Sequence, residues 1–256
     1  ASRFALRFHD GAAHLPMTAT QQESDLARAL EAERDARPQA EAAMRREAAL
    51  AEASALLVGS QADPFPRILQ VLGEVEEVDR AYLFMIRDNG TRMDNTAEWC
   101  APGIEPQIEM LQDLDTSVFS WWIGKLAAGG TIQVRSLGDL PPAAAAEREI
   151  LEVQGVRSVL AVPMIDNRGR LVGFMGFDRV RQEGAWSEAS LRAIRIVAEM
   201  STRERVRQRM LEALNRSQER YRLAGLATHD LLYDWDIRRG ITTAGEGGWS
   251  ALGFAS

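Results

Sequence analysis

The sequence is short of the residues on which many catalytic and metal sites depend. Among its 256 residues there is one cysteine, Cys100, so neither an internal disulfide nor a cysteine-rich zinc site can form. The three histidines, His9, His14 and His229, are far apart and have no partner pattern nearby. A phosphate-binding glycine loop, zinc-ligand spacing and a histidine-kinase phosphoacceptor box are all missing. No catalytic residue and no metal ligand is therefore predicted.

Long apolar runs and basic character are scarce as well. No stretch approaches the ~20 apolar residues that a membrane span needs, and residues 1–14 lack the apolar core of a signal peptide. The formal net charge of −7 argues against a general nucleic-acid binder. We expect a cytoplasmic chain without direct membrane insertion and without a nucleic-acid partner, although its parent protein could be membrane-associated.

What is present begins with a long polar helix, predicted over residues 20–58. Alanine, glutamate, arginine and glutamine dominate it, and Leu50 and Leu57 lie a heptad apart in its narrow apolar stripe. Pro38 should kink or divide the helix, because proline lacks the backbone N–H. A helix this polar cannot bury itself alone. It is interpreted as a coiled-coil signalling helix, and a solvated linker helix is the alternative.

A second long helix is predicted from Ser187, its N-cap, to about Leu226. Its first half is apolar on one side, whereas its end, the connecting helix of residues 206–226, is strongly charged. The helix should therefore pack on the domain and then leave it. We expect a homodimer in which the long helices pair with those of a second copy. The residues predicted to form this contact are Leu50, Leu57, Leu211, Leu214 and Tyr221.

Strand signals fill the region between these helices. Residues 81–88 and 92–100 flank Asn89-Gly90, which is the strongest short hairpin signal. Two further strands, 157–164 and 170–178, are nearly all apolar, as expected in a sheet that is covered on both faces. Two adjacent strand pairs with short turns indicate an antiparallel sheet to which helices are added.

Residues 60–205 resemble the GAF domains of bacterial sensor kinases and diguanylate cyclases, both in the order of elements and in several motifs. The matching stretches are Glu98-Trp99-Cys100 with Gly103-Ile104-Glu105-Pro106, Ser120-Trp121-Trp122, Glu147-Arg148 with Gln154-Gly155-Val156, residues 158–163, residues 171–178, and Trp186. The resemblance implies an α/β (α+β) fold. We expect a GAF-like antiparallel sheet of six strands or slightly fewer, with helices on its faces and long coiled-coil-type helices on either side.

The two ends of the chain are assigned to neighbouring modules. Residues 219–224, Asp234-Trp235-Asp236-Ile237 and Gly240 look like the entry helix and first strand of a PAS domain. This second resemblance implies that residues 227–256 are the truncated start of such a domain. Residues 1–19 are interpreted as a lead-in or as the tail of an upstream domain.

Aromatic side chains supply the candidate ligand site, because they offer large contact areas, some with a polar handle. The candidate ligand-binding residues are Tyr82, Phe84, Trp99, Cys100, Trp121, Trp122 and Phe174. Plain core packing is the alternative for the tryptophans. Cys100 is interpreted as structural or pocket-lining, because a buried free cysteine behaves mostly as a small hydrophobe. A redox switch and a chromophore anchor are its alternatives.

No cofactor is predicted. Bilin-binding GAF domains typically place a cysteine beside a histidine, and no histidine lies between His14 and His229. This absence argues against a bilin and against a histidine-ligated haem. The Asn-Lys pair typical of the cyclic-nucleotide subfamily is also missing.

The resemblance implies a sensory module, either of a histidine kinase in a two-component system or of a diguanylate cyclase in cyclic di-GMP signalling. We expect it to bind an unknown small ligand and to relay a conformational signal through its helices to an output domain that this chain lacks. A ligand-free dimerisation and relay module is the second hypothesis. It predicts a pocket filled by its own tryptophans, whereas a sensor predicts an enclosed pocket of about several hundred Å³. One enzyme with a GAF fold, a free methionine sulfoxide reductase, relies on several cysteines, so with one cysteine this chain is not expected to be an enzyme. A GAF-fold enzyme is the third hypothesis, and it predicts converging polar groups with perturbed pKa values.

Overall fold

The computed structural model describes residues 19–59, 63–228 and 233–244. Apart from Ala19, the predicted lead-in lies outside the described residues, and so does most of the predicted PAS segment. In the part of the chain that the structure describes, no helix is long and apolar enough to cross a membrane.

The chain divides into two units, residues 1–48 and 49–256, which are described separately. Helix α1 (Ala19–Val58) begins in the first unit and ends in the second. It is continuous at Pro38, so the predicted division of the helix there does not occur. A proline removes a single intrahelical hydrogen bond, which a long helix can lose without ending. In the second unit, the last turns of α1 bury Ala53 and Leu57.

Six antiparallel strands form the sheet of the second unit. They are β1 (Arg80–Arg87), β2 (Arg92–Cys100), β3 (Leu114–Asp115), β4 (Ile132–Val134), β5 (Ser158–Ile165) and β6 (Leu171–Arg179), in the order β3-β2-β1-β6-β5-β4. This arrangement confirms the predicted GAF-like fold class. The two-residue strand β3 is an addition that no sequence signal indicated.

The turn between β1 and β2 shows why the Asn-Gly signal is reliable. Asn89 and Gly90 have φ angles of 57° and 98°, in the left-handed region that most residues avoid. Glycine adopts it freely and asparagine adopts it more readily than most residues. The chain can therefore reverse direction between two strands that are only five residues apart.

Four helices complete the second unit, and a hairpin follows. The helices are α2 (Phe65–Val75), α3 (Ser120–Ala127), α4 (Ala145–Val153) and α5 (Glu188–Thr228), and the hairpin strands are β7 (Tyr233–Asp236) and β8 (Ile241–Ala244). The Ser187 hydroxyl accepts a hydrogen bond from the Ser190 N–H at 3.0 Å, as expected of the N-cap of α5.

The two faces of the sheet carry separate hydrophobic cores, because side chains alternate along each strand. We call the first the closed face. Its core contains Leu83, Met175 and Phe177 and packs against α2, the end of α1 and the first half of α5. We call the second the cavity face. Its core contains Tyr82, Phe84 and Phe174 and is covered by α3 and α4.

Candidate functional site

A small cavity of about 60 Å³ lies between the cavity face of the sheet and helices α3 and α4. Its lining residues are Tyr82, Phe84, Met93, Glu98, Leu111, Leu114, Phe119, Trp122, Glu147, Ile150, Leu151, Gln154, Phe174 and Asp178. Most are apolar, and a few polar groups point to the same space. This is the usual composition of a small-molecule site.

Aromatic rings form one wall of the cavity. Phe84 and Phe174 face each other across β1 and β6, and their rings are stacked with centroids 4.7 Å apart. Trp122 meets Phe174 edge-on at 6.1 Å, and Tyr82 meets Phe84 in the same manner at 5.7 Å. Such arrangements are the favourable ones for ring quadrupoles, so the rings of this wall stabilise one another.

The ring of Tyr82 lies flat against the sheet because its cross-strand neighbour is Gly176. A Cβ atom built at Gly176 would come within 2.3 Å of the Tyr82 ring, so no larger residue fits there without displacing it. Tyr82 thereby occupies space between the aromatic wall and the charged end of the cavity. The small volume of the cavity follows from this filling by the protein's own rings.

Two carboxyl groups, Glu98 and Asp178, line the other end of the cavity, and the buried Arg80 lies next to Asp178 outside the lining. Asp178 and Arg80 are paired across β6 and β1, and their side chains are each 4% exposed or less. The closest approach between Arg80 Nη1 and Asp178 Oδ2 is 3.8 Å, which is longer than a charge-assisted hydrogen bond. Arg80 Nη2 donates to the backbone oxygen of Gln154 at 2.9 Å. The Glu98 carboxylate accepts the N–H groups of Gln107 and Ile108 at 2.7 and 3.1 Å.

Burial shifts the proton affinities of this end. It raises the pKa of Asp178 to about 7, although Arg80 and the Tyr82 hydroxyl act in the opposite direction. Burial, followed by the Asp178 charge, also raises the pKa of Tyr82 well above its usual value. The Asp178 carboxyl is therefore the group whose protonation changes near neutral pH, while the Tyr82 phenol keeps its proton.

Trp122 and Glu147 connect α3 with α4 beside the aromatic wall. The Trp122 backbone N–H, in the first turn of α3, donates to Glu147 Oε1 at 2.9 Å. Helix α3 has no local side-chain cap at Phe119, so Glu147 satisfies one of its otherwise unpaired N–H groups from another helix. A carboxylate is also favourable at the positive end of a helix dipole.

The structure brings four of the seven candidate ligand residues together at the cavity: Tyr82, Phe84, Trp122 and Phe174. Trp99 lies on the closed face instead, where its ring packs over Gly73 of α2. Trp121 is half-buried, and the Lys125 ammonium lies 5.2 Å above its ring.

Cys100 is half-buried and pairs with Arg80 across β2 and β1. Burial, aided by the Glu98 charge, raises the pKa of Cys100 to about 11. The thiol is therefore protonated at neutral pH, which is unfavourable for a redox switch because the thiolate is the reactive form.

The charged residues of the site were missed by the sequence analysis. Arg80, Tyr82 and Phe84 are every second residue of β1 and therefore share one face. The same is true of Phe174, Gly176 and Asp178 on β6. This period of two was the available signal, since it places charge and aromatic rings on one face. Among the described residues, no group of three or more His, Cys, Asp or Glu side chains is arranged to hold a metal ion.

The residues predicted for a dimer contact fall into two groups. Leu57 is 4% exposed and Leu50 packs beside it, both on the closed-face core of their own chain. Leu211 and Leu214 on α5 are 45% and 54% exposed. The side chain of Tyr221 lies outside the described residues.

Three comparisons place this architecture among known proteins. The profile of the family described as GAF domain matches residues 63–202. The methanogenesis regulatory histidine kinase FilI of Methanothrix harundinacea (strain 6Ac) is 36% identical over 135 residues, which cover 51% of this chain and 15% of that protein. The matched segment is therefore a small part of that relative.

Solved structures agree on the fold. The blue-light absorbing form of the Thermosynechococcus elongatus PixJ GAF domain superposes with a TM-score of 0.51 at 19% identity, covering 67% of this chain and 95% of that one. The far-red absorbing dark state of JSC1_58120g3 with bound biliverdin IXa superposes with a TM-score of 0.51 at 16% identity, covering 61% of this chain and 96% of that one.

These structures correct the expectation about cofactors. We argued against a bilin because no histidine accompanies Cys100, yet a neighbour of the same fold holds biliverdin, so a bilin is possible. The missing Cys-His pair concerns only the attachment of a bilin to the protein. It is no argument about whether this fold can enclose a bilin. The residues present do not fit a bilin as they stand, since ligand pockets measure roughly 300–1,000 Å³ and this cavity measures about 60 Å³.

Proposed function

This chain belongs to the GAF domain family, and from that premise we propose that it is the ligand-sensing and regulatory part of a signal-transduction protein. A small molecule binds in the cavity under α3 and α4, and the sheet passes the change to α5. The resemblance to FilI favours a histidine kinase as the output over a diguanylate cyclase. In this proposal the chain performs no catalysis itself.

The observation that carries the proposal is a cavity whose polar groups are buried without being satisfied. Within the described residues, two polar atoms of the cavity lining, Trp122 Nε1 and Asp178 Oδ1, are buried and have no hydrogen-bond partner. The same holds for Nε and Nη1 of Arg80, which lies next to Asp178 outside the lining. Leaving such a group unpaired costs about 1–3 kcal/mol. A site made only for packing would be expected to replace them with apolar side chains, so their presence supports a ligand.

Helix α5 supplies a route for the signal. Its first half is anchored on the closed face by Ile194, Val197 and Ala198, which are fully buried. Its second half extends to Thr228 with exposed apolar side chains at Leu211 and Leu214. A displacement of the sheet would move the anchored half, and a stiff helix carries that shift along its length.

A homodimer completes the proposal, with the second half of α5 pairing with a second copy. Leu50 and Leu57 are occupied by the core of their own chain, so the contact relies on Leu211 and Leu214. Replacing both leucines by Glu should convert the dimer to monomer in light scattering, because the charges would face each other in the seam.

The matched control for this variant is Ala213→Glu with Arg220→Gln, which alters the net charge equally on the opposite side of the helix. Dimers in both variants, or monomers in both, would contradict pairing through these two leucines.

The sensing function is tested by native mass spectrometry of the purified chain beside the same sample denatured. Extra mass that is lost on denaturation identifies a bound molecule. An absorption spectrum after incubation with biliverdin, compared with free biliverdin, tests whether the chain takes a bilin. A chain that carries no molecule and takes none from a metabolite extract would contradict a sensor.

A second candidate is the ligand-free dimerisation and relay module. The observation in its favour is that the cavity is small and filled by the chain's own rings, Tyr82 above all. It predicts a dimer of unchanged mass and unchanged melting temperature with every metabolite tried.

The remaining predictions concern the parent protein. The hairpin of β7 and β8 is compatible with residues 227–256 being the start of a PAS domain, and the rest of that segment lies outside the described residues. We propose a cytoplasmic location for the module, which a fusion of the full-length parent to a fluorescent protein would test.

A further inference from the structure

The charged groups of the cavity lining restrict the chemistry of the ligand, and this inference rests on the sensing function proposed above. Every charged side chain among the described lining residues is a carboxyl group, namely Glu98, Glu147 and Asp178. The Arg80 guanidinium, next to Asp178 outside the lining, offsets at most one of these charges. The cavity therefore attracts a cation and repels an anion.

Asp178 is the carboxyl group that is free to contact a cation. Its side chain is 4% exposed, and its Oδ1 atom is buried without a hydrogen-bond partner within the described residues. The two other carboxyl groups are already engaged, because Glu98 accepts two backbone N–H groups and Glu147 accepts another. A charged N–H donor suits Asp178 Oδ1 best, since charge-assisted hydrogen bonds are the strong ones.

An organic cation fits this lining better than a metal ion. Among the described residues, no three His, Cys, Asp or Glu side chains are arranged to hold a metal ion. Most of the remaining lining is apolar, and it includes the rings of Tyr82, Phe84 and Phe174. Alkyl groups gain free energy when they leave water for such a surface. An ammonium group with an alkyl chain therefore matches both kinds of lining residue.

The volume of the cavity limits the length of that chain. The cavity of about 60 Å³ holds about two water molecules, at the ~30 Å³ that each one takes in the liquid. A molecule of about two to four non-hydrogen atoms is of this size. Such a molecule enters without displacing any of the aromatic rings.

We propose that the cavity binds a small primary alkylammonium ion, of which methylammonium and ethylammonium are examples. The ammonium group donates a hydrogen bond to Asp178 Oδ1, and the charges of Glu98 and Glu147 add to its attraction. The alkyl chain lies among the apolar residues of the lining.

Four probes test the inference. Ethylammonium is the expected ligand, ethanol and acetate are its neutral and anionic counterparts of similar size, and hexylammonium has a chain too long for the cavity. Binding to the purified chain at constant ionic strength is followed by NMR through the indole N–H signal of Trp122, which the Trp122→Phe variant identifies. We expect a dissociation constant of about 1 mM for ethylammonium, as suits so small a ligand, and at least about tenfold weaker binding of the other three.

A pair of variants locates the binding. Asp178→Asn should weaken ethylammonium binding at least about tenfold, because it removes the charge that the ammonium group contacts. Asp166→Asn is the matched control, since its side chain is also 4% exposed and lies outside the lining. This control should leave the dissociation constant unchanged. The melting temperature of each variant shows whether it folds.

The pH dependence of ethylammonium binding tests the same contact in the unaltered chain. Burial raises the pKa of Asp178 to about 7, while Arg80 and Tyr82 act to lower this pKa and Glu98 and Asp79 act to raise it. The ammonium group keeps its charge in this range, as a lysine does. The dissociation constant should therefore be about tenfold larger near pH 6 than above pH 8, since the protonated carboxyl no longer attracts the cation. A constant affinity across this range would overturn the contact with Asp178.

Each outcome of the probe series bears on the inference. A preference for ethylammonium that depends on Asp178 and not on Asp166 supports it. Equal or tighter binding of ethanol or acetate overturns the ammonium ligand and leaves the sensing cavity intact. Equal or tighter binding of hexylammonium overturns binding inside the cavity. Absence of binding by all four overturns the inference alone, because native mass spectrometry tests the sensing function separately and would still reveal a molecule of other chemistry.

Discussion

The closed face and the cavity face of the sheet are built from the same strands and differ in how completely they are filled. On the closed face, Leu83, Met175 and Phe177 are fully buried against helices α2 and α5. On the cavity face, alternate residues of the same strands line a void and include Asp178, whose Oδ1 atom has no partner within the described residues. A filled core and a cavity are thus separated by the thickness of the sheet.

This separation explains how the domain can hold imperfect packing. A substitution in a filled core lowers the free energy of unfolding strongly, because it creates a new cavity. A substitution beside an existing void should lower it less. In the proposed sensor a signal would have to cross the sheet, because α5 is anchored on the closed face, opposite the cavity. The strands β1 and β6 supply the connection, since each presents residues to both faces.

The sharpest test compares two phenylalanines on β6. Phe177→Ala on the closed face should lower the free energy of unfolding by about 3–5 kcal/mol, since it leaves a cavity in a filled core. Phe174→Ala on the cavity face should cost less, because the void beside it lets neighbouring rings and water relax into the space. Urea unfolding of the two variants measures the difference. Equal losses would show that the faces are equally well packed.

The pH dependence of the free energy of unfolding reports on the cavity face through Asp178. The pKa of this carboxyl is raised to about 7 in the folded chain, so between roughly pH 4 and 7 the folded chain binds a proton that the unfolded chain has released. Its contribution is therefore favourable at low pH and is lost as the pH rises through 7, with a slope of at most about 1.4 kcal/mol per pH unit. Asp178→Asn should flatten this part of the stability profile.

Asp166→Asn is the control of opposite sign. Hydrogen bonds from the Arg170 backbone and side chain lower the pKa of Asp166. Its favourable contribution is present above the ordinary aspartate pKa and is lost as the pH falls below roughly 4. This variant should leave the profile between about pH 5 and 7 unchanged, and a change there would mean that Asp178 is not the group responsible.

The fold was predictable from local signals of known geometry. The Asn89-Gly90 turn, the apolar runs of β5 and β6, and the Ser187 cap each specify their own conformation, and together they gave the sheet and its helices. Partners were harder to predict. The heptad spacing of Leu50 and Leu57 indicated an apolar stripe that must be buried. The spacing does not specify the surface that covers the stripe, and in the structure this surface is the chain's own core.

The candidate site was predictable only in part, because the face of the sheet on which a side chain lies depends on the strand register. Tyr82, Phe84 and Phe174 follow the simple alternation of β1 and β6. The pairing of β1 with β2 is irregular between Leu83 and Phe84, and this shifts which residues of β2 face each side of the sheet. The face on which Trp99 lies could therefore not be predicted by counting alternate residues in the sequence. Arg80 and Asp178 were overlooked because charges at strand ends usually face water.

A smaller effect sharpens the comparison at two helical glycines. A Cβ atom at Gly73 of α2 would lie 2.2 Å from the Trp99 ring, whereas one at Gly124 of α3 would meet nothing within 4 Å. Gly73→Ala should therefore destabilise the domain by about 1–3 kcal/mol through overpacking. Gly124→Ala should stabilise it by about 0.5–1 kcal/mol, because alanine loses less backbone entropy in a helix. If both variants are stabilised in urea unfolding, Trp99 yields freely and the closed face is less filled than its burial indicates.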